Sequence, residues 1–297
     1  MADELILSQQ LDGIIPHEIS NEIVQQVMQG SICMKYAKVE PMTTPKKTIP
    51  VVINVPGATW VGEGEKIKVG KPSIIPVTLE AKKIAIIMTA SREALSDPVT
   101  NLFEDLKDAI AESFYSVIDR TILTGDTKNP FKKTLLSVGT TRGVDETDDI
   151  MIDISNTMGK VEEGGFTPTV LIQAPATKTK LRNLKTTMGT QLVTDVNNIY
   201  STAVEYTTHF DSTKTPLITG DFDYLRLGIL QDIQYEVLRE STLSLEDGTS
   251  INLGQEDLMG LRITMRVAAQ VLRDEAFSVI KPVSYTHLRA HETGRNL

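Results

Sequence analysis

The chain has 297 residues but only one cysteine, Cys33, one tryptophan, Trp60, and four histidines. A single cysteine excludes an internal disulfide and a cysteine-only zinc site within one chain. Cys33 therefore reads as a small buried hydrophobe. No apolar run approaches the roughly 20 residues that a membrane helix needs. The opening "MADELILSQQ" has no basic region followed by an apolar one, so no signal peptide and no membrane partner are expected. Positive charge is also scarce: 30 Lys and Arg face 39 Asp and Glu, a net charge of −9. That opposes non-specific DNA binding, which needs clustered cations to displace counterions. It does not oppose lying beside DNA, because an acidic wall repels packed nucleic acid and lets it slide.

Catalytic signals are missing too. "GEGEKIKVGK" is not a phosphate loop: Gly70-Lys71 is followed by Pro72, and no helix follows. "GTTRGVD" lacks the strand-to-helix context, and no GxSxG elbow is present. His287 and His291 stand at i, i+4 beside Glu292 in "VSYTHLRAHETGRNL", where the pattern changes abruptly after Pro282. This segment, 283–297, resembles the translated adapter read-through seen at the ends of metagenomic proteins and is set aside as a non-native tail. Only His17, which helps start a helix, and His209, in a polar loop, then remain, too few for a histidine triad or metal centre. "DETDD" at 145–149 reads as a solvated helix start. Asp221, Asp223 and Asp232 lack the density of a calcium loop. Catalytic, cofactor-binding and metal residues are accordingly expected to be none, cofactors none, and the chain not an enzyme.

What is present is an α+β pattern. Residues 1–16 read as an extended arm, followed by a short amphipathic helix in "HEISNEIVQQVMQGS" that Gly30 stops. "SICMKYAKVEPM" and "KTIPVVINV" read as strands. "SDPVTNLFEDLKDAIAESFYSVIDRTILTGD" is the clearest helix. Asp97 suits its cap, Pro98 its first position and Gly125 its end. Leu102, Phe103, Leu106, Ile110, Phe114 and Val117 make its expected core stripe, with Val99 and Ile118. At 1.5 Å per residue it is roughly 40 Å long and acts as a spine. A loop over 127–148 precedes a second helix in "DDIMIDISNTMGKVEEGG". A buried strand in "TPTVLIQAP", a short helix in "PATKTKLRNLKT" and a strand in "TPLITGDF" follow. Strand, polar loop and strand then span "YEVLRESTLSLEDGTSINLGQEDLMGLRITMRVAAQ", and "EAFSVIKP" reads as the last strand.

Trp60 stands out in "NVPGATWVGEGEKIKVGKPSI", between glycines and charges. The flanking apolar segments suggest a two-stranded excursion, and a lone hairpin of this kind is marginal in water. Its tip is too polar and Gly-rich to bury itself. Either Trp60 folds back onto its own spine helix as satellite core, or a neighbouring subunit buries it. Tryptophan is enriched among interface hot spots. Glu63, Glu65, Lys66, Lys68 and Lys71 surround it as rim charges that would set register.

The order of these elements resembles the major capsid proteins of tailed bacteriophages, of the Hong Kong 97 fold. The resemblance is carried by "ATWVGEGEKI…VTLEAKKIAIIMTASREALSD", "LKDAIAESFYSVIDRTILTGD", "LRNLKTTMGTQL", "LITGDFDYLRLGILQDIQYEVLRE" and "QEDLMGLRITMRVAAQVLRDEAFSVI", in that order. It implies an N-terminal arm over 1–45 and an extended loop over 46–82. A peripheral domain with the spine helix would take 83–148 and 232–272, and an axial domain 149–231 and 273–282. It further implies self-assembly through pentamers and hexamers into an icosahedral shell around double-stranded DNA, without sequence-specific binding. Scaffolding and portal proteins would be partners, with assembly in the bacterial host cytoplasm and residence in the virion capsid. An encapsulin-like compartment enclosing a cargo enzyme is the alternative on the same fold. The long arm through Pro45 favours the phage. An enzyme of unrecognised family would instead show a pocket with convergent polar groups.

Overall fold

The computed structural model describes residues 17–67, 69–91, 99–125, 129–185, 191–193, 195–245 and 248–282. The expected extended arm over 1–16, the cap at Asp97 and Pro98 and the tail 283–297 lie outside the described residues.

Helix α1 (His17–Gly30) buries Ile23 and Val27, the stripe its 3.6-residue period sets out. The next segment corrects the expectation of a strand in "SICMKYAKVEPM". Ile32–Tyr36 is a short helix, α2, and only Lys38–Pro41 is strand, β1. The reason is capping: the Ser31 hydroxyl accepts from the Met34 amide at 3.1 Å and starts a new helix directly after α1. Strands β2 (Lys46–Asn54) and β3 (Ser73–Glu80) form the expected hairpin, and β4 (Lys82–Ser91) follows.

Helix α3 (Val99–Leu123) is the spine, and its 25 residues span about 37 Å at 1.5 Å each. Ile110, Phe114, Ile118, Ile122 and Leu123 are buried along one face. The side chains of Leu102, Phe103 and Leu106 lie outside those described. Val117 is a correction: it is 39% exposed. It lines a groove between the helix and Lys82–Ile84 of β4, because positions 114 and 118 take the centre of the buried face. Gly125, at φ +78°, closes the helix, its amide donating back to the Arg120 carbonyl at 3.0 Å.

The expected loop over 127–148 carries a short helix, α4 (Leu135–Gly139), started by a reciprocal Thr134–Ser137 capping box, and a short strand, β5 (Val144–Asp145). Then come α5 (Ile150–Glu162), β6 (Val170–Gln173) and α6 (Pro175–Asn183). Strands β7 (Asn198–Ile199), β8 (Thr202–Tyr206) and β9 (Leu217–Gly220) follow. Long β10 (Leu225–Leu238) and β13 (Leu258–Val271) flank a small ribbon, β11 (Thr242–Ser244) with β12 (Ser250–Asn252), in the expected polar loop. Strand β14 (Phe277–Lys281) is last among the described residues.

Two sheets organise the chain. One has the order β1-β10-β13-β4, the other β5-β14-β9-β6-β8-β7. Strand β10 runs across the boundary expected between 231 and 232, and β5 joins the six-stranded sheet from within the expected 83–148 region. One core joins both sheets to α1, α2 and α3. It takes Leu225, Leu227, Ile263, Met265 and Val267 from the four-stranded sheet, and Val170, Ile172, Ile218 and Val279 from the other. Tyr36, Phe222 and Phe277 stack edge-to-face across the seam, with centroids 6.3 and 5.5 Å apart. On its other face the six-stranded sheet carries a second core, with Leu171 and Leu217 against Ile154 and Met158 of α5 and Leu181 of α6. Successive residues of β6 thus serve opposite cores, as the strand pleat requires.

Candidate assembly surfaces

The hairpin is built in two zones. Its root is anchored: Leu79 is fully buried with Met42 of the β1–β2 connection and Ala268 of β13. Around it, Lys47 reaches Glu40 at 2.7 Å, Lys82 reaches Glu80 at 3.2 Å and Lys46 reaches Glu80 at 3.5 Å. The hydrogen bond from Lys82, helped by the charge of Lys46, lowers the Glu80 carboxyl below its ordinary range. Higher up, Val51 is buried, and the β2–β3 pairing slips register between Val52 and Asn54. At that irregularity Arg273, just past β13, donates from Nη2 to the carbonyls of Val52 at 2.6 Å and Ile53 at 2.8 Å. The slip leaves these carbonyls outside a regular ladder, and the guanidinium satisfies them.

Beyond Asn54 strand pairing stops. The legs of the tip still touch: a Cβ on Gly70 would meet Pro56 at 2.5 Å, so only glycine fits this crossing. Gly62 donates to the Glu65 carboxylate at 3.2 Å, and Gly64 turns the chain at φ +85°. Trp60 stands 104% exposed, and Val69 is 95% exposed. Trp60 therefore does not pack on its own spine helix, which overturns the satellite-core alternative. Glu63, Glu65, Lys66 and Lys71 are exposed around it, while Lys68 lies outside the described residues. Val52 and Ile74, paired across the ladder, are exposed on the outer face of the paired zone, while Ile53 and Ile75, also part-exposed, line a cleft with Val51 and Val77 on the face toward Arg273. Large exposed apolar patches mark interaction surfaces.

The segment that follows α1 is held to the spine by a group that sequence reasoning missed. Asp119 of α3 is buried and accepts from the Ser31 hydroxyl at 2.6 Å, the Ile32 amide at 3.0 Å and the Cys33 amide at 3.1 Å. It thereby caps the free amides at the start of α2. Burial raises the Asp119 carboxyl above its ordinary value, against the pull of these hydrogen bonds. Burial, and then the Asp119 charge, push the Cys33 thiol well up, so Cys33 is the inert buried hydrophobe its sequence context suggests. The available signal was a carboxylate at position 119, on the apolar side of the helix next to Ile118 and Ile122. A second tie joins α2 to β8, where Glu205 accepts from Lys35 at 2.5 Å and Tyr36 at 2.7 Å.

The residues weighed for chemistry have structural partners. Asp149 caps α5 through the Met151 amide at 2.9 Å, and Asp153 accepts from Thr147 at 2.7 and 2.8 Å. Asp221 accepts from the Asp223 amide at 3.1 Å, and Asp223 pairs with Lys38 at 3.4 Å. The Asp232 side chain lies outside those described. His209 packs its ring on Tyr115 at 5.5 Å. Among the described residues no three His, Cys, Asp or Glu side chains are grouped to hold a metal.

Residues 12–281 match the phage capsid family. The chain is 32% identical over 289 residues to the major capsid protein of Staphylococcus phage 80alpha, covering 94% of this chain and 88% of that one. It is 24% identical to a probable major capsid protein of Mycobacterium phage D29, covering 91% of each. Among solved structures, a chain from Microbacterium phage Oxtober96 superposes with a TM-score of 0.72 at 22% identity, over 85% of this chain and 91% of that one. A chain of the capsid of an empty GTA particle superposes with a TM-score of 0.64 at 15% identity, over 84% and 89%.

Proposed function

The chain belongs to the phage capsid family and is a tailed-phage major capsid protein, and from that premise we propose that its hairpin tip is completed by a neighbouring copy in the shell. Trp60 carries this reading: it is the only tryptophan and stands 104% exposed, uncovered by the described residues. Burying an aromatic side chain of 150–250 Å² at about 25 cal/mol per Å² is worth several kcal/mol, a gain the lone subunit forgoes. Glu63, Glu65, Lys66, Lys68 and Lys71 form the polar rim that sets register. Single exposed pairs contribute about 0–1 kcal/mol, and repetition over a shell multiplies small terms.

The shell is of the Hong Kong 97 type. The four-stranded sheet with the spine helix makes the peripheral domain, and the six-stranded sheet with α5 and α6 makes the axial domain around five-fold and six-fold capsomers. The protein has a structural role without catalysis. It encloses double-stranded DNA without sequence-specific contacts, works with scaffolding and portal proteins, and assembles in the host cytoplasm. The similarity to phage major capsid proteins favours this over an encapsulin-like compartment.

Electron microscopy and sedimentation of the expressed protein test the reading: shells of megadalton size are expected. Trp60→Ala is expected to leave the subunit folded and to cut shell yield or heat resistance. Normal, equally heat-resistant particles from that variant would remove the tip's inter-subunit role.

A further inference from the structure

The four-stranded sheet has two unlike faces. Leu261, Ile263, Met265 and Val267 of β13, with Ile84, Ile86 and Met88 of β4, point into the core. The alternate residues point away: Arg262, Thr264 and Arg266 on β13, and Lys83, Ala85 and Ile87 on β4. At the Ala268 end the hairpin root covers this outer face. The rest is bare, with a hollow of about 140 Å³ lined by Lys83, Gln234, Glu236, Arg262, Thr264 and Arg266 among others.

Three cations share this bare half with one carboxylate. Arg262 takes that carboxylate, pairing with Glu236 across the β10–β13 ladder. Lys83 stands directly opposite Arg266 in the β13–β4 register, and neither has a partner among the described residues. Like charges directly opposite one another destabilise a sheet. In a chain with 39 acidic and 30 basic residues, this juxtaposition of two cations has no carboxylate paired to it among the described residues. Ile87, 45% exposed, adds an apolar neighbour.

We infer that this bare cationic half of the sheet face is an interface that receives carboxylates from a second copy of this chain, an inference resting on the shell-forming reading above. A second copy brings a net charge of −9, so carboxylates are its most abundant charged groups. Two adjacent cations facing one protein carboxylate give strong charge complementarity, which fixes partner and orientation. A nucleic acid fits less well. Its phosphate ladder needs a row of cations, whereas this patch is short, contains Glu236, and sits in an acidic chain that repels a polyanion.

The test uses Lys83→Gln and Arg266→Gln, singly and together, in the full chain. In unassembled subunits, removing the opposed charges is expected to leave the melting temperature unchanged or raise it. In assembly, the double variant is expected to lose shell yield several-fold, and Arg266→Lys to retain it. That opposition of sign is what a merely structural pair would not give. A melting temperature that falls together with shell yield would make the cations structural and overturn the inference. Double-variant shells with wild-type yield and heat resistance would overturn it as well. Normal empty shells with loss only of DNA-filled particles would assign the face to nucleic acid instead. If the wild-type chain forms no shells at all, the shell reading fails, and this inference with it.

Discussion

The spine helix and the hairpin tip spend their large side chains in opposite ways. Phe114 is 2% exposed, inside the core that the spine helix shares with both sheets, while Trp60 is 104% exposed at the end of a ribbon. Both are aromatic, and the hydrophobic effect acts equally on both. The difference is supply. The helix repeats apolar residues at its own period and meets sheets from distant parts of the chain. The tip has glycines, charges and only one other leg to touch. A subunit completes the first region alone; on the reading proposed above, a second copy completes the other.

The sharpest way to break this comparison is to damage the self-sufficient side. Phe114→Ala is expected to destabilise the subunit by about 3–5 kcal/mol through lost burial and a cavity, and to abolish soluble, folded protein or lower its melting midpoint steeply in chemical denaturation. Trp60→Ala should do the reverse, sparing the midpoint and harming shells. If both variants lose subunit stability alike, the two regions are not different in kind.

Asp119 sharpens the comparison on the spine side. Its carboxyl is raised in the folded state. A raised acid favours the protonated form on folding, so its contribution is present at low pH and is lost as pH rises through the raised value. Wild-type subunit stability is therefore expected to fall with pH from just above the unfolded carboxyl range, about 3.9, and Asp119→Asn to flatten that slope. Parallel stability–pH curves for the two proteins would refute this. Asp119→Ala orphans buried donors, at about 1–3 kcal/mol each, and is expected to cost more than Asp119→Asn near neutral pH.

On the hairpin side the expected effects are local. Arg273→Ala removes two hydrogen bonds to the slipped register, on the order of 1 kcal/mol each. Faster hydrogen exchange and proteolysis are expected within 46–80, with little change in the global melting temperature. Unchanged exchange there would show that the root alone holds the ribbon. Smallest of all, deletion of residues 283–297 is expected to leave folding and shell yield as they were, measured by circular dichroism and sedimentation.

Particular residues show what could be read in advance. Helices α1, α3, α5 and α6 were legible, because a 3.6-residue apolar period and a stop such as Gly125 lie within a few residues of one another. Trp60 was legible as a misfit, since nothing in its neighbourhood could cover it. The strand expected over Ile32–Tyr36 was wrong, because its first amides are satisfied from Asp119, 87 positions away from Ile32. Short β5, β7 and β8 offered too few residues for a period. Val117 sits on the apolar stripe yet lines a surface groove, because the stripe is wider than the sheet contact.

Local order, then, was written in the amino acids themselves: where helices begin and end, which strand faces are apolar, and that one tryptophan has no cover nearby. Those features depend on spacing along the chain and on the fixed geometry of helix and strand. Pairings between distant segments were decided only in three dimensions. Arg273 on the carbonyls of Val52 and Ile53, Asp119 on the amides of Ile32 and Cys33, and Lys83 opposite Arg266 all join residues dozens to hundreds of positions apart. Their partners are chosen by packing of the whole chain, which no local pattern encodes.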